Sequence, residues 1–130
     1  DAVSPVIDMG LLLLLQGRPA EALDRFKSPV VQPPLTMEVA MALHSLGRDE
    51  ESAAILRDEG TRSERHVATR LGFAYAWLGD RDHAFASFER ALDEHDPLAA
   101  SGIMSDPILR SLRDDPRWKP LLRRMNLPAD

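Results

Sequence analysis

Residues 74–89, AYAWLGDRDHAFASFE, decide the fold of this 130-residue chain, because two earlier segments repeat their pattern. The related segments are LLLLLQGRPAEALDRF (11–26) and MALHSLGRDEESAAIL (41–56). In each, an apolar segment ends at a glycine, and charged and then apolar residues at helical spacing follow it. These glycines are 30 and 32 residues apart, a periodicity typical of helical repeats: Gly17, Gly47 and Gly79. The sequence therefore predicts an all-α array of three helix pairs.

Glycine, proline and aspartate mark where the predicted helices begin and end. Glycine ends a helix well because it adopts the left-handed conformation without strain. Ser28-Pro29 and Pro33-Pro34 cannot lie inside a helix, whereas Asp80 or Asp82 can accept hydrogen bonds from free N–H groups at a helix start. From these signals we predict one domain, residues 1–130, with helix pairs at about 5–27, 35–59 and 64–95 and a C-terminal helical cap at about 97–126.

Short helices are predicted after three Asp-Pro pairs, because aspartate caps a helix start and proline suits its first turn. The pairs are Asp96-Pro97, Asp106-Pro107 and Asp115-Pro116. Pro120 is predicted to divide the last segment into a turn and a helix from Leu121 to Met125. Trp118 is expected to pack with Leu121, Leu122 and Met125, covering the end of the last helix pair.

Composition narrows the classes of partner. With 44% hydrophobic and 28% charged residues, the chain has the composition of a folded globular protein. Its net charge of −5 opposes binding to nucleic acid, and its longest apolar run, Leu11 to Leu15, is too short to span a membrane. We therefore predict neither a nucleic-acid nor a membrane partner. Because the chain begins at Asp1 rather than Met, we expect it to be a fragment or a processed product.

The three copies resemble the tetratricopeptide repeat, a pair of antiparallel helices of about 34 residues with small and large apolar residues at fixed sites. The third copy carries the pattern as Leu71-Gly72, Tyr75, Gly79, Ala84, Phe88 and Ala91. The first carries it as Met9-Gly10, Leu13, Gly17, Ala22 and Phe26, and the second as Val39-Ala40, Leu43, Gly47, Ser52 and Leu56. The resemblance implies a right-handed superhelical array in which the first helix of each pair lines the concave face.

A second resemblance covers the last two fifths of the chain. Residues 74–128 are similar to the closing segment of tetratricopeptide regions in large bacterial proteins. In those proteins the region follows an effector such as a winged-helix transcription factor, a nucleotide cyclase or a protein kinase. The resemblance implies a regulatory or assembly module in the bacterial cytoplasm.

If the three pairs stack in register, equivalent positions on their first helices form one apolar stripe. The predicted partner-binding groove comprises Ile7, Leu11, Leu14, Leu15, Met37, Met41, His44, Phe73 and Trp77. Methionine and aromatic side chains suit a bound peptide or partner segment. Two alternatives stay open at this point: a second copy of the chain occupies the stripe, or the stripe belongs to the protein core.

No pattern indicates catalysis, a cofactor or a metal site. The chain has no cysteine, its four histidines lack metal-binding spacing, and it contains neither a GxSxG segment nor a glycine-rich phosphate loop. We therefore predict a non-catalytic protein. The basic stretch from Arg110 to Arg124 has two interpretations, phosphate binding or packing as part of the helical cap, and we favour the second.

Overall fold

A computed structural model describes residues 3–29, 35–64, 66–96 and 107–127. Over these ranges the chain forms seven α-helices and one 3-10 helix, with no strand, which confirms the predicted all-α class. The α-helices are α1 (Val3–Leu15), α2 (Pro19–Phe26), α3 (Thr36–Ser45), α4 (Asp49–Glu59), α5 (Val67–Leu78), α6 (Arg81–Asp93) and α7 (Trp118–Arg124). The 3-10 helix, η1, is Pro107–Leu112.

The chain divides into two compact units, Asp1–Glu59 and Gly60–Asp130. In the first, α1 packs on α2 and α3 on α4, and α3 also contacts α1 and α2. In the second, α5 packs on α6, and η1 packs on α5. The three predicted helix pairs are thus present, while their union in one domain stays a prediction.

A left-handed glycine follows the first helix of every pair, as predicted, with φ between 74° and 83°. At the third pair the Gly79 N–H donates to the Ala76 carbonyl (3.1 Å), and the Asp80 N–H donates to the Tyr75 carbonyl (3.0 Å). The first two pairs repeat both bonds, so all three turns satisfy the carbonyls at the helix end in one way. Of the two predicted caps, Asp80 is the one that accepts from the His83 N–H, at 3.1 Å.

The helices of the first and third pairs approach so closely that only glycine fits at the contact. A Cβ atom on Gly72 would lie 2.6 Å from Cε1 of Phe88, and one on Gly10 would lie 2.2 Å from Cε1 of Phe26. Both phenylalanines are buried, and each lies 16 residues after its glycine. The ring therefore packs on helix backbone in both pairs.

The second pair reaches a similar packing with different residues. Ala40 and Leu56 are also 16 residues apart and both fully buried, so here a larger residue on the first helix is combined with a smaller one on the second. Ser52 is fully buried as well, and its Oγ donates to the Ala40 carbonyl at 2.7 Å. Ser52 thus replaces the alanine of the other copies without leaving a polar atom unsatisfied.

The helical cap is organised partly as predicted. The side chains of Trp118, Leu121, Leu122 and Met125 are all buried, as expected for the cap core. The predicted break at Pro120 is wrong, because α7 runs without interruption from Trp118 to Arg124. Pro120 is its third residue, and the first-turn N–H groups have no acceptor within the helix, so proline removes no hydrogen bond there.

Helix limits differ slightly from the predicted ones elsewhere. The first helix begins at Val3 rather than near residue 5, and α5 begins at Val67 rather than near residue 64. The later start of α5 follows from His66, whose φ of 69° is left-handed and cannot continue a helix. The predicted helix after Asp96-Pro97 lies outside the described residues.

Ion pairs connect the cap to α6. The carboxylate of Asp115, whose side chain is 7% exposed, accepts hydrogen bonds from Nε and Nη2 of Arg117, each at 3.0 Å. The same guanidinium donates to Asp82 of α6 at 2.8 Å and lies over the Phe85 ring, 4.6 Å from its centroid. The side-chain hydrogen bonds from Arg117 lower the pKa of Asp115 to about 2, and those to Asp115 and Asp82 raise the pKa of Arg117.

Replacing Gly72 by Ala is expected to destabilise the second unit. Overpacking against the buried Phe88 ring costs about 1–3 kcal/mol, which outweighs the gain in helix propensity of up to about 1 kcal/mol. We expect a net loss of about 1–2 kcal/mol in the free energy of unfolding. Urea denaturation followed by circular dichroism measures it.

The double variant Gly72→Ala/Phe88→Leu recreates the Ala40 and Leu56 combination of the second pair, so part of the lost stability is expected to return. Ala86→Gly, at an exposed position of α6, is the control for helix propensity alone. A Gly72→Ala variant as stable as the original chain, or more stable, contradicts the proposed close approach.

Replacing Asp115 by Asn is expected to have a pH-dependent effect. A carboxylate whose pKa falls from 3.8 to about 2 on folding stabilises the folded state fully above about pH 4, and this contribution disappears as the pH falls through about 2. Urea unfolding of Asp115→Asn should therefore show a loss of stability near neutral pH that vanishes in strong acid. Asp114→Asn, at a side chain that is 82% exposed, is the matched control. If Asp115→Asn lowers the free energy of unfolding equally near neutral pH and in strong acid, the ionised Asp115 carboxylate is not what stabilises the folded state.

Candidate functional site

The predicted groove residues of α1 are partly accessible. Ile7 and Leu11 are half-buried, Leu14 is buried, and Leu15 is 47% exposed. Sequence reasoning missed two neighbours, Met9 and Leu12, which are 42% and 47% exposed. Met9, Leu12 and Leu15 recur at every third residue, a helical spacing that leaves them on adjoining parts of one face, here called the α1 face. That spacing was the signal available in the sequence.

The predicted groove residues of α3 contribute little surface. Met37 and Met41 are 1% and 3% exposed, so their side chains lie in the core. The reason is that α3 contacts α1, α2 and α4, which leaves it little free face. His44 is half-buried, and its Nδ1 lies 2.7 Å from Oδ1 of Asp49 at the start of α4.

On α5 the two predicted aromatic residues are both half-buried and one helical turn apart. The Phe73 ring packs edge-on against the Phe88 ring, with centroids 5.6 Å apart and planes at 88°. Part of Phe73 therefore belongs to the core of the third pair. Trp77 instead borders an open cleft.

This cleft, here called the arginine cleft, has a volume of about 630 Å³ and lies where η1 packs on the end of α5. Its apolar side consists of Ala76, Trp77 and Ile108, and its charged side chains are Arg81, Arg110, Arg113 and Asp114. The sequence placed Trp77 in the groove and Arg110 and Arg113 in a separate basic stretch. Only the packing of η1 on α5 brings them together.

A buried carboxylate joins the start of α5 to the residues after α6. The side chain of Asp96 is 7% exposed, its Oδ1 lies 2.7 Å from Nδ1 of His66, and its Oδ2 accepts from the Thr69 hydroxyl at 2.6 Å. The hydroxyl thus donates to the carboxylate and not to the imidazole, which is unlike the order of a Ser-His-Asp triad. We assign a structural role to this cluster, because its carboxylate, imidazole and hydroxyl groups are hydrogen-bonding partners of one another.

His83 also contacts residues that are close to it along the chain. Nδ1 of His83 lies 2.7 Å from Oδ2 of Asp80, and its ring stacks on Tyr75 with centroids 4.9 Å apart. Within the described ranges no three His, Asp or Glu side chains form a group that could hold a metal ion. No helix in the same ranges is long and apolar enough to cross a membrane.

The basic stretch divides into two groups. Arg117 pairs with Asp115 and Asp82, and Arg124 pairs with Glu89 and Asp93 of α6, so these arginines hold the cap in place. Arg110 and Arg113 are exposed and line the arginine cleft instead. The packing interpretation thus describes Arg117 and Arg124, whereas Arg110 and Arg113 line the cleft.

Comparison with models of known protein families, with curated proteins and with solved structures gave no match to this chain. The features of the chain that bear on its function are the repeat, the α1 face and the arginine cleft.

Proposed function

We propose that this chain is a non-catalytic interaction module of the tetratricopeptide kind, which binds a peptide or partner segment through apolar side chains on the first helices of its pairs. The observation that carries the proposal is the α1 face, where Met9, Leu12 and Leu15 are each more than 40% exposed. Adjoining apolar side chains at a surface are typical of binding sites. Half-buried Phe73 and Trp77 offer a second apolar surface on the first helix of the third pair.

The relation to tetratricopeptide repeats is supported by the packing inside the pairs. In each pair a small residue of the first helix and a large residue 16 positions later are both buried: Gly10 and Phe26, Ala40 and Leu56, Gly72 and Phe88. This matches the family's use of small and large apolar residues at fixed sites. A superhelical array of the three pairs is part of the proposal.

A non-catalytic role agrees with the state of the polar groups. Among the described residues, every buried side-chain nitrogen or oxygen has a hydrogen-bond partner. The titratable side chains with strongly shifted pKa values, Asp115 and Arg117, bind each other beside α6 and serve the packing of the cap. By resemblance of residues 74–128, we place the module in a larger bacterial regulatory protein in the cytoplasm.

Self-association is the second candidate function, and the α1 face supports it as well as it supports peptide binding. A second copy placing the same apolar residues against Met9, Leu12 and Leu15 would form an isologous interface. In that case the module is a homo-oligomerisation element. Both candidates use apolar surface, and they differ in whether the bound molecule is another copy of the chain.

The peptide-binding proposal is tested with a displayed library of random peptides and with purified variants. We expect the chain to enrich a peptide class, and Phe73→Ala/Trp77→Ala to weaken binding by about 2 kcal/mol, or thirtyfold, as for aromatic anchors. Tyr75→Ala is the matched control, since Tyr75 is a half-buried aromatic about 200° around α5 from Phe73. Circular dichroism checks that the variants remain helical. If Phe73→Ala/Trp77→Ala and Tyr75→Ala bind the peptide equally well, the surface formed by Phe73 and Trp77 is not the binding site.

Sedimentation at several concentrations tests the oligomerisation candidate. Self-association predicts a mass that rises with concentration and returns to the monomer value in Leu12→Ser/Leu15→Ser. Because both leucines are about half exposed, the double variant should change the free energy of unfolding by less than about 1 kcal/mol. A concentration-independent monomer excludes this candidate, and a chain that neither associates nor enriches peptides refutes the proposed function.

A further inference from the structure

We propose that the α1 face binds a basic amphipathic helix of another protein. A lysine or arginine of that helix pairs with Asp8, and its large apolar side chains cover the three exposed apolar side chains of the face. The inference rests on the proposed function as an interaction module and names the chemistry of its partner. It also distinguishes the two candidate functions, because it assigns the α1 face to a different protein and not to a second copy of the chain.

Asp8 places a negative charge among the apolar side chains of the α1 face. It is the only charged residue of α1, and it is exposed. At about 100° per residue, Leu15 lies roughly 20° to one side of Asp8 around the helix axis and Leu12 about 40° to the other. Within the described ranges Asp8 has no ion pair or side-chain hydrogen bond. Its carboxylate is therefore open to a cation that a partner supplies.

Further carboxylates border the apolar side chains on the side away from Asp8. A cleft of about 440 Å³ is lined by Val6 of α1 and by residues of α2 that include two carboxylates and one guanidinium, those of Glu21, Asp24 and Arg25. Val6 lies three residues before Met9, so this cleft adjoins the α1 face. The first unit, residues 1–59, contains ten acidic and five basic side chains. These charges favour a basic partner over an acidic one.

A second copy of the chain offers no cation for Asp8. Residues 3–17 contain neither lysine nor arginine, so two copies joined through their α1 faces would meet as surfaces that carry only negative charge. The next cation along the chain, Arg18, already binds Glu21, with Nη2 donating to Oε1 at 2.6 Å. A carboxylate enclosed without a cation is costly to remove from water. A partner that supplies the cation is therefore favoured over the symmetric pair.

The form of the α1 face suits a helical partner. Its apolar side chains recur at every third residue, and such rows form ridges that pack into the grooves of a second helix. With 13 residues, α1 is about 20 Å long. A partner helix of about four turns covers that length. It can place a basic residue one turn from an apolar anchor, as Asp8 lies one turn from Leu12.

The test selects peptides of about 15 residues, long enough for four helical turns, from a displayed random library on the intact chain. We expect the enriched sequences to combine lysine or arginine with large apolar residues three or four positions apart. A synthetic peptide of the enriched sequence should bind Leu12→Ser and Asp8→Lys each at least about tenfold more weakly than the original chain. Its affinity should also fall as salt increases, because the pairing is between charges at the surface.

Two controls separate the charge of Asp8 from charge in general and from misfolding. Glu50→Lys makes the same change of charge at an exposed carboxylate of α4, outside the α1 face, and it should bind the peptide within about twofold of the original chain. A peptide with glutamate in place of its basic residue should regain affinity for Asp8→Lys. A loss of folding in Asp8→Lys cannot produce that recovery.

The outcomes also separate this inference from the proposed function. Enriched peptides without basic residues, or peptides whose binding Phe73→Ala/Trp77→Ala weakens and Asp8→Lys does not, overturn the inference and leave the interaction module standing. A concentration-dependent dimer that Leu12→Ser/Leu15→Ser dissociates also overturns it, and assigns the α1 face to a second copy. A chain that neither enriches peptides nor associates overturns the inference together with the proposed function.

Discussion

The close approach of the two helices in each pair is the constraint on which the rest of the structure depends. At Gly72 the Phe88 ring lies where a Cβ atom would be, and Gly10 has the same relation to Phe26. A phenylalanine that packs directly on backbone holds the two axes close together, and the glycine turn then needs only a few residues to join them. In the second pair the equivalent residues are Ala40 and Leu56, which are also fully buried, as expected if the combined volume of the two side chains is what matters.

The cap depends on a different balance, in which buried apolar side chains and a paired carboxylate act together. Trp118 and its leucine neighbours form an apolar core, while Arg117 binds Asp115, Asp82 and the face of Phe85. A nearly buried carboxylate is tolerated because the guanidinium and a backbone N–H satisfy it. Arg110 and Arg113, by contrast, line the arginine cleft together with Trp77.

The proposed function depends on the apolar and charged side chains that this packing leaves uncovered. The α1 face retains three exposed apolar side chains, and the arginine cleft combines an apolar back with guanidinium groups. The α1 face is the basis of the proposed contact with a partner or a second copy.

Local signals in the sequence were sufficient for the all-α class, the three helix pairs and the glycine turns, because these depend on neighbouring residues and on periodicity. The rule that proline breaks a helix failed at Pro120, because the sequence did not show that this residue lies in the first turn of α7, where proline is tolerated. Only tertiary packing decided which apolar residues are buried: Met37 and Met41 lie in the core because α3 has three neighbouring helices, whereas Met9 and Leu12 remain exposed. Likewise, only the packing of η1 on α5 brings Trp77 beside Arg110, since their separation along the chain carries no information about distance in space.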